Sequence, residues 1–166
     1  MDMLSLIPRL IFPSADQIPV TTLKENGIQL LMLDFDNTIV PYTTSVPTQE
    51  MLAWLKAAAQ EIPLCVVSNS RRPRVQKFCK KYQIPCITRA KKPGGKGIRQ
   101  ALEQFHCAPC HAALVGDQIY TDVLGANCAG VTSVLITPIQ LHSWPLKLRH
   151  LLEQPFIRLG RRRGHV

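Results

Sequence analysis

The segment Gln29-Leu30-Leu31-Met32-Leu33-Asp34-Phe35-Asp36-Asn37-Thr38 decides the fold of this chain. Four apolar residues follow Gln29 without interruption, a pattern typical of a strand buried on both faces of a parallel sheet. Two aspartates, two positions apart, come directly after that strand. Because burying a carboxylate without a partner is costly, Asp34 and Asp36 indicate a charged site at the end of the strand. A polar loop with one helix-capping aspartate is the alternative, and it explains only one of the two.

Short apolar runs alternate with segments of helical spacing along the rest of the chain. The predicted strands are 29–33, 64–67, 85–88, 112–115 and 132–136, and the predicted helices are 48–60, 74–82, 97–105 and 119–129. This alternation predicts an α/β fold, a single doubly wound, Rossmann-like domain with a five-stranded, mostly parallel sheet. Ligands of such sheets bind at the carboxyl ends of the strands, so polar motifs at those ends are the candidate site.

Polar residues follow the second and third predicted strands. Ser68 and Asn69 come after the second and are able to hydrogen-bond a phosphate oxygen, although capping of the next helix explains this motif better when it is taken alone. Lys92 comes after the third, in Lys91-Lys92-Pro93-Gly94-Gly95, where it offers a point charge to a phosphate. A solvated basic turn is the alternative for this segment.

The fourth predicted strand ends in Val115-Gly116-Asp117, and Asp122 lies five residues further on. Gly116 permits close approach of the backbone to a neighbouring group. With Asp34 and Asp36, these acids make three or four carboxylates at one edge of the sheet, and they would repel one another without a cation. Hard oxygen ligands in this number favour Mg²⁺ over zinc.

The order of these motifs resembles that of the haloacid dehalogenase (HAD) superfamily. The residues that carry the resemblance are Asp34, Asp36 and Thr38, then Ser68, then Lys92, and then Gly116, Asp117 and Asp122. The resemblance implies that Asp34 is the nucleophile that forms an aspartyl-phosphate, and that Asp36 is the general acid and base. It also implies that Mg²⁺ is held by the carboxylates of Asp34 and Asp117 and by the backbone carbonyl of Asp36.

The resemblance assigns supporting roles to the remaining motif residues. Ser68 and Lys92 would hold the transferred phosphoryl oxygens, with backbone amides near Asn69. Asp122 would anchor Lys92 or a metal-bound water from behind. Thr38 is placed with Asp122 among the residues that support the site without touching the phosphate.

The flank 10–41 narrows the resemblance to the capless, YqeG-type branch of subfamily IIIA, which includes mitochondrial and plastid phosphatidylglycerophosphate phosphatases. That likeness implies hydrolysis of phosphatidylglycerophosphate to phosphatidylglycerol. About ten residues separate Thr38 from the next predicted helix, too few for a large cap domain. We expect 1–28 to form an apolar segment and a helix that pack on the core, 29–140 the HAD catalytic core, and 141–166 a C-terminal helix with a basic tail.

The charge of the chain favours anionic partners. It carries 20 Lys and Arg against 11 Asp and Glu, a formal charge of +9. The basic residues of the tail are Lys147, Arg149, Arg158, Arg161, Arg162 and Arg163. With the apolar stretch 3–12 and with Leu151, Leu152, Phe156 and Ile157 they predict peripheral contact with an anionic membrane, and a packed terminal helix with a solvated tail is the alternative.

No run of apolar residues approaches the ~20 needed to span a bilayer, so we expect a cytoplasmic protein or one bound to the inner face of a membrane. A partner nucleic acid stays open, although no base-stacking module accompanies the basic residues. Cys107-Ala108-Pro109-Cys110-His111 formally matches a haem-attachment pattern. A zinc half-site made by Cys107 and Cys110 is another interpretation, but no second cysteine pair completes it.

Two further classes compete with a phosphatase. Receiver domains also place acids, Mg²⁺, a hydroxyl and a lysine on a parallel sheet, but their phosphoacceptor follows the third strand. Here that strand ends in Thr88-Arg89-Ala90, without an aspartate. A basic scaffold without activity is the other alternative, and the intact pair Asp34 and Asp36 counts against it.

Overall fold

The computed structural model describes residues 5–141 and 143–162. The strands are β1 (Leu10–Phe12), β2 (Leu30–Leu33), β3 (Leu64–Val67), β4 (Cys86–Ile87), β5 (Ala112–Gly116) and β6 (Thr132–Ile136). The helices are α1 (Val20–Glu25), α2 (Gln49–Glu61), α3 (Pro73–Tyr82), α4 (Lys96–Gln104), α5 (Leu124–Cys128) and α6 (Trp144–Arg162). Short 3₁₀ turns cover Ala15–Gln17 and Pro109–His111, and a π turn covers Ile119–Val123.

The strands form one sheet in the order β1-β6-β5-β2-β3-β4, and every pairing is parallel. The α/β prediction is therefore confirmed, but the count of five strands is wrong. The additional strand is β1, which pairs with β6 from Leu10 opposite Val134 to Phe12 opposite Ile136. A three-residue edge strand has too short a pattern to be separated from an apolar loop by periodicity.

Strand β2 shows why its apolar run is continuous. Leu31 and Leu33 pack into a core shared with α2 and α3, whereas Leu30 and Met32 pack into a second core shared with α4 and α5. Because successive side chains of a strand point to opposite faces, a strand covered by helices on both sides needs apolar residues at every position. The strand is thereby held rigidly in the middle of the domain, with Asp34 at its end.

The predicted helices are present, and the one predicted for 119–129 differs in form. Helix α2 begins where Thr48 accepts a hydrogen bond from the Met51 amide at 3.1 Å. The predicted helix 119–129 instead starts as the π turn and continues as α5. Among the described residues no domain is inserted between β2 and α2 or between β3 and α3, which agrees with the absence of a large cap.

Helix α6 packs along β1 at the edge of the sheet. Its buried positions are Glu153, Ile157 and Gly160. At Gly160 a Cβ would lie 3.0 Å from Ile11 Cδ1, so a larger residue would require Ile11 or Pro8 to shift. The prediction that Ile157 contacts a membrane is therefore wrong, and Phe156 is partly buried with its ring 6.4 Å from that of Tyr120. Residues 1–4 and 163–166, including Arg163, lie outside the described residues, and within the described part no helix has the length and apolarity to cross a membrane.

Candidate active site

The topology brings the predicted site residues to one edge of the sheet. Asp34 follows β2, Ser68 follows β3, Lys92 follows β4, and Asp117 follows β5. Asp122 lies in the π turn after β5. All five are buried, although each is polar or charged. Buried polar groups need partners or a function, so this edge is the first candidate for a site.

Lys92 lies between two acids. Its Nζ is 2.8 Å from Asp34 Oδ1 and 2.7 Å from Asp122 Oδ1. The second oxygen of Asp122 accepts a hydrogen bond from the Gln118 amide at 3.2 Å. Burial raises the pKa of Asp34 to about 7 although Lys92 lowers it, and the two acids raise the pKa of Lys92. We favour the charged form of the triad, because an ammonium enclosed by two carboxylates at these distances satisfies both of them.

The side chain of Asn69 positions Lys92. Its Oδ1 accepts from the Lys92 amide at 2.7 Å, and its Nδ2 donates to the Lys92 carbonyl at 3.0 Å. The side-chain amide is therefore engaged with the protein. A role for the backbone near Asn69 in binding phosphate stays a prediction.

Ser68 does not cap helix α3. That helix begins after Arg72 without any side-chain cap, and Ser68 Oγ instead accepts from the Ser70 amide at 3.1 Å. The capping alternative for Ser68 is therefore wrong. The serine lines the same cleft as Asp34 and Lys92, and its role in binding phosphate stays a prediction.

Three carboxylates lie close enough to share a cation. Asp34, Asp117 and Asp122 each offer an oxygen atom within 4.8 Å of the others. Both carboxylate oxygens of Asp117 are buried and have no hydrogen-bond partner. Burial and the charges of Asp122 and Asp34 raise the pKa of Asp117 well above its usual value, and Arg149 lowers it. An orphaned acid beside two others fits a divalent cation that prefers oxygen ligands.

The predicted ligands were the carboxylates of Asp34 and Asp117 and the backbone carbonyl of Asp36. In the structure, the carboxylate that lies close to those of Asp34 and Asp117 is that of Asp122. Among the described residues, these three acids are the group of three or more potential metal ligands that the fold brings together. Cys107 is partly buried and Cys110 is exposed, and both lie between α4 and β5.

Asp36 is held by a residue that the sequence did not reveal as part of the site. Arg74 Nη2 lies 3.1 Å from Asp36 Oδ1, in an ion pair without hydrogen-bond geometry. The guanidinium lies 5.1 Å from the centre of the Phe35 ring. It also donates to three backbone carbonyls, those of Pro41, Tyr42 and Thr44, at 3.0, 2.6 and 2.9 Å. Arg74 therefore fixes the loop that carries Asp36.

The protonation of Asp36 suits proton transfer. Burial raises the pKa of this carboxyl, and the charges of Arg74, Arg72 and Lys92 lower it. The raised pKa makes this carboxyl easier to protonate, and its role as general acid and base stays a prediction. Thr38 is fully buried and its Oγ1 has no partner, so its supporting role stays a prediction.

The cleft above these residues has a volume of about 380 Å³. Arg71 and Arg72 are exposed where it opens, and Tyr42 lines its wall. Burial and the nearby acids raise the pKa of Tyr42 to about 12, so the phenol stays protonated. The sequence signal that would have marked this rim is the run Arg71-Arg72-Pro73-Arg74, directly after Ser70.

Known proteins are similar to this chain in sequence. A family model described as "Mitochondrial PGP phosphatase" matches residues 1–139. "Probable phosphatase YqeG" of Bacillus subtilis (strain 168) is 29% identical over 146 residues, which cover 87% of this chain and 85% of that protein.

Solved structures agree on the fold. A HAD superfamily (subfamily III A) hydrolase from Legionella pneumophila has a TM-score of 0.53 at 10% identity, and the match covers 76% of this chain and 73% of that one. A haloacid dehalogenase-like hydrolase from Streptococcus pneumoniae has a TM-score of 0.51 at 18% identity over 68% of this chain and 86% of that one. The family match covers most of the chain and all the site residues, and it favours a phosphatase over a receiver domain. The chain therefore belongs to the mitochondrial PGP phosphatase family, and its fold is similar to that of HAD-superfamily hydrolases.

Proposed function

We propose that this phosphatase is a Mg²⁺-dependent phosphomonoester hydrolase that acts through an aspartyl-phosphate on Asp34, and that its substrate is phosphatidylglycerophosphate. The observation that supports this most directly is the buried group of Asp34, Lys92, Asp117 and Asp122, with both Asp117 oxygens unpaired. A divalent cation held by Asp34 and Asp117 would neutralise charge between the nucleophile and the phosphate.

In the first half of the reaction, a carboxylate oxygen of Asp34 forms a bond to phosphorus while the bond to the glycerol oxygen breaks. Asp36 donates its proton to that leaving oxygen. Lys92 and Ser68 bind the phosphoryl oxygens, so the negative charge of these oxygens is stabilised while the phosphoryl group is transferred. In the second half, Asp36 takes a proton from water, which attacks the phosphoenzyme and releases phosphate.

The rim of the cleft supports a substrate with two phosphates. Phosphatidylglycerophosphate carries a terminal phosphomonoester and an internal phosphodiester. Arg71 and Arg72 are exposed beside the pocket that holds Asp34 and Lys92. Cations at this position suit the internal phosphodiester, which remains anionic after the terminal phosphate is cleaved. For a substrate of this kind, we propose that the protein acts in the cytoplasm or on the inner face of a membrane.

The test has two stages. With a generic aryl phosphate and Mg²⁺, Asp34→Asn should lose essentially all turnover, and Asp36→Asn should accumulate phosphoenzyme because its breakdown slows. Asp16→Asn, in the 3₁₀ turn after β1, is the matched control and should keep full activity. Retained turnover in Asp34→Asn would remove the nucleophile assignment.

The second stage compares substrates. Phosphatidylglycerophosphate in vesicles should be hydrolysed with a kcat/KM at least about tenfold above that of glycerol 3-phosphate, because only the lipid carries the second phosphate. Arg71→Ala with Arg72→Ala should narrow that ratio. If a nucleotide, sugar or protein phosphate is the better substrate, the lipid proposal is wrong.

A further inference from the structure

Helix α6 carries an exposed apolar stripe. Its members are Trp144, Leu148, Leu151, Leu152 and Leu159, all of them exposed. Trp144 exposes 73%, Leu151 65% and Leu152 57% of its surface. Single exposed leucines are normal on a protein surface, but a tryptophan and four leucines exposed on one helix form an apolar surface that calls for an explanation.

The positions of these residues place them on one face. At about 100° per residue, they fall within an arc of about 100° around the helix axis. From Trp144 to Leu159 the stripe is about 22 Å long. The opposite face, with Glu153, Ile157 and Gly160, is the one that packs on the domain. The stripe therefore lies on the face of the helix that is turned away from the core.

Basic residues border the stripe. Lys147 and Arg158 are exposed and fall within about 40° of one edge of it, and the exposed Arg162 falls on the stripe itself at its C-terminal end. The whole helix has five cations, which are these three with Arg149 and Arg161, and one acid, Glu153, which is buried against the Ile119 amide. The exposed charge of α6 is therefore entirely positive.

We propose that the exposed face of α6 docks on an anionic lipid bilayer, with Trp144 and the four leucines inserted at the level of the headgroups and Lys147, Arg158 and Arg162 paired with lipid phosphates. A helix with an apolar stripe and cations along its edge is the form that lies in a membrane interface. A second copy of this chain fits less well, because it would bring the same positive charges to the stripe. This inference deepens the proposed function, since it rests on a substrate that resides in a bilayer.

The start of α6 lies near the active-site edge of the sheet. The loop before α6 leaves the carboxyl end of β6, the same edge of the sheet that carries Asp34. The loop is also tied to the site, because Asn37 Nδ2 donates to the Gln140 carbonyl at 2.8 Å and the Ile139 amide donates to the Asn37 carbonyl at 3.3 Å. The first turn of α6, with Trp144, therefore starts four residues from a contact of the active-site loop. The matched family region ends at residue 139, before this helix.

The experiment measures binding without catalysis. Vesicles of phosphatidylcholine, with or without about one third phosphatidylglycerol, are sedimented with the full chain. We expect binding to the anionic vesicles that weakens with salt, and little binding to phosphatidylcholine alone. Leu151→Glu with Leu152→Glu should reduce the partition coefficient by a factor of at least about ten, because two carboxylates would enter the interface.

A charge-matched pair tests the cations. Lys147→Glu with Arg158→Glu should weaken binding by at least about twentyfold, at roughly fivefold for each cation lost. Lys77→Glu with Lys80→Glu, exposed on α3, makes the same change in net charge and should weaken binding much less. Equal losses in the two pairs would show that net charge alone attracts the protein, and would overturn the assignment to α6.

Further outcomes separate this inference from the proposed function. The α6 variants should hydrolyse the soluble aryl phosphate like the wild type, and their circular dichroism should be unchanged because the replaced side chains are exposed. If anionic vesicles are bound but phosphatidylglycerophosphate is not preferred, the substrate proposal fails and the docking surface stands. Absence of vesicle binding by the wild type, or dimers that Leu151→Glu with Leu152→Glu dissociates, would overturn the docking surface.

Discussion

Replacing Lys92 with methionine tests the electrostatics of the site most sharply. The side chain of Lys92 is 1% exposed, and its partners Asp34 and Asp122 are 10% and 2% exposed. Methionine has a similar length and no charge, so the change leaves two buried acids without their cation. Removing one partner of a buried ion pair costs about 3–5 kcal/mol. For a chain of this size, that cost lowers Tm by roughly 6–20 °C.

The loss should depend on pH. Asp34 has a pKa of about 7 in the folded protein, above its value in the unfolded chain, so the folded state binds the extra proton and stability falls as pH rises through that range. Without the ammonium, the pKa of Asp34 rises further. The destabilisation by Lys92→Met should therefore be largest above about pH 8 and shrink below about pH 6, where the acid is protonated.

Urea unfolding followed by circular dichroism, at several pH values, measures these free energies. Lys91→Met is the control, because Lys91 is the exposed neighbour and its loss should cost less than about 0.5 kcal/mol. In the double variant Lys92→Met with Asp122→Asn, one orphaned charge is gone, so about 1–2 kcal/mol should return. A loss no larger than that of Lys91→Met, or one that does not change with pH, would refute the buried charged triad.

Four more predictions concern other parts of the site. Arg74→Lys should lower kcat for an aryl phosphate on the order of tenfold, because an ammonium cannot hold the three carbonyls and Asp36 at once; an unchanged kcat would contradict this. Gly116→Ala should reduce activity strongly, because its Cβ would lie 2.2 Å from Asp122 Oδ2; activity assays and the crystal structure of the variant would show whether Asp122 moves. Glu153→Gln should stabilise the fold by about 1 kcal/mol at neutral pH, and by less as pH falls. The reason is that burial raises the pKa of Glu153, so the wild type loses stability as pH rises through that pKa. Unfolding curves measured at several pH values check the sign of this effect. Chelation of divalent cations should abolish turnover and Mg²⁺ should restore it, whereas activity that survives chelation would exclude the metal.

The sequence was sufficient for the main features of the fold. Continuous apolar runs marked β2, β3, β5 and β6, because a strand covered on both faces must be apolar throughout. It was insufficient for β1, whose three residues resemble an apolar loop. The short pattern also suggested membrane contact for a segment that pairs with β6 at the edge of the sheet.

The sequence alone was also insufficient for the face of α6. Leu151, Leu152, Phe156 and Ile157 are all apolar and close together, so composition groups them. Only the packed helix separates the exposed Leu151 and Leu152 from the buried Ile157, because burial depends on which side meets β1.

What the sequence determined by itself is the set of candidate site residues and their place after the strands. A polar residue directly after a buried strand is a local pattern, and parallel strands bring such ends to one edge. Asp34 and Asp117 follow from that rule, and Lys92 lies in the loop after β4. The tertiary structure alone decided which atoms meet: Lys92 with Asp34, 58 residues apart, and Arg74 with Asp36. The physical reason is that contacts across loops depend on the distances and angles between packed elements, which no local pattern of residues contains.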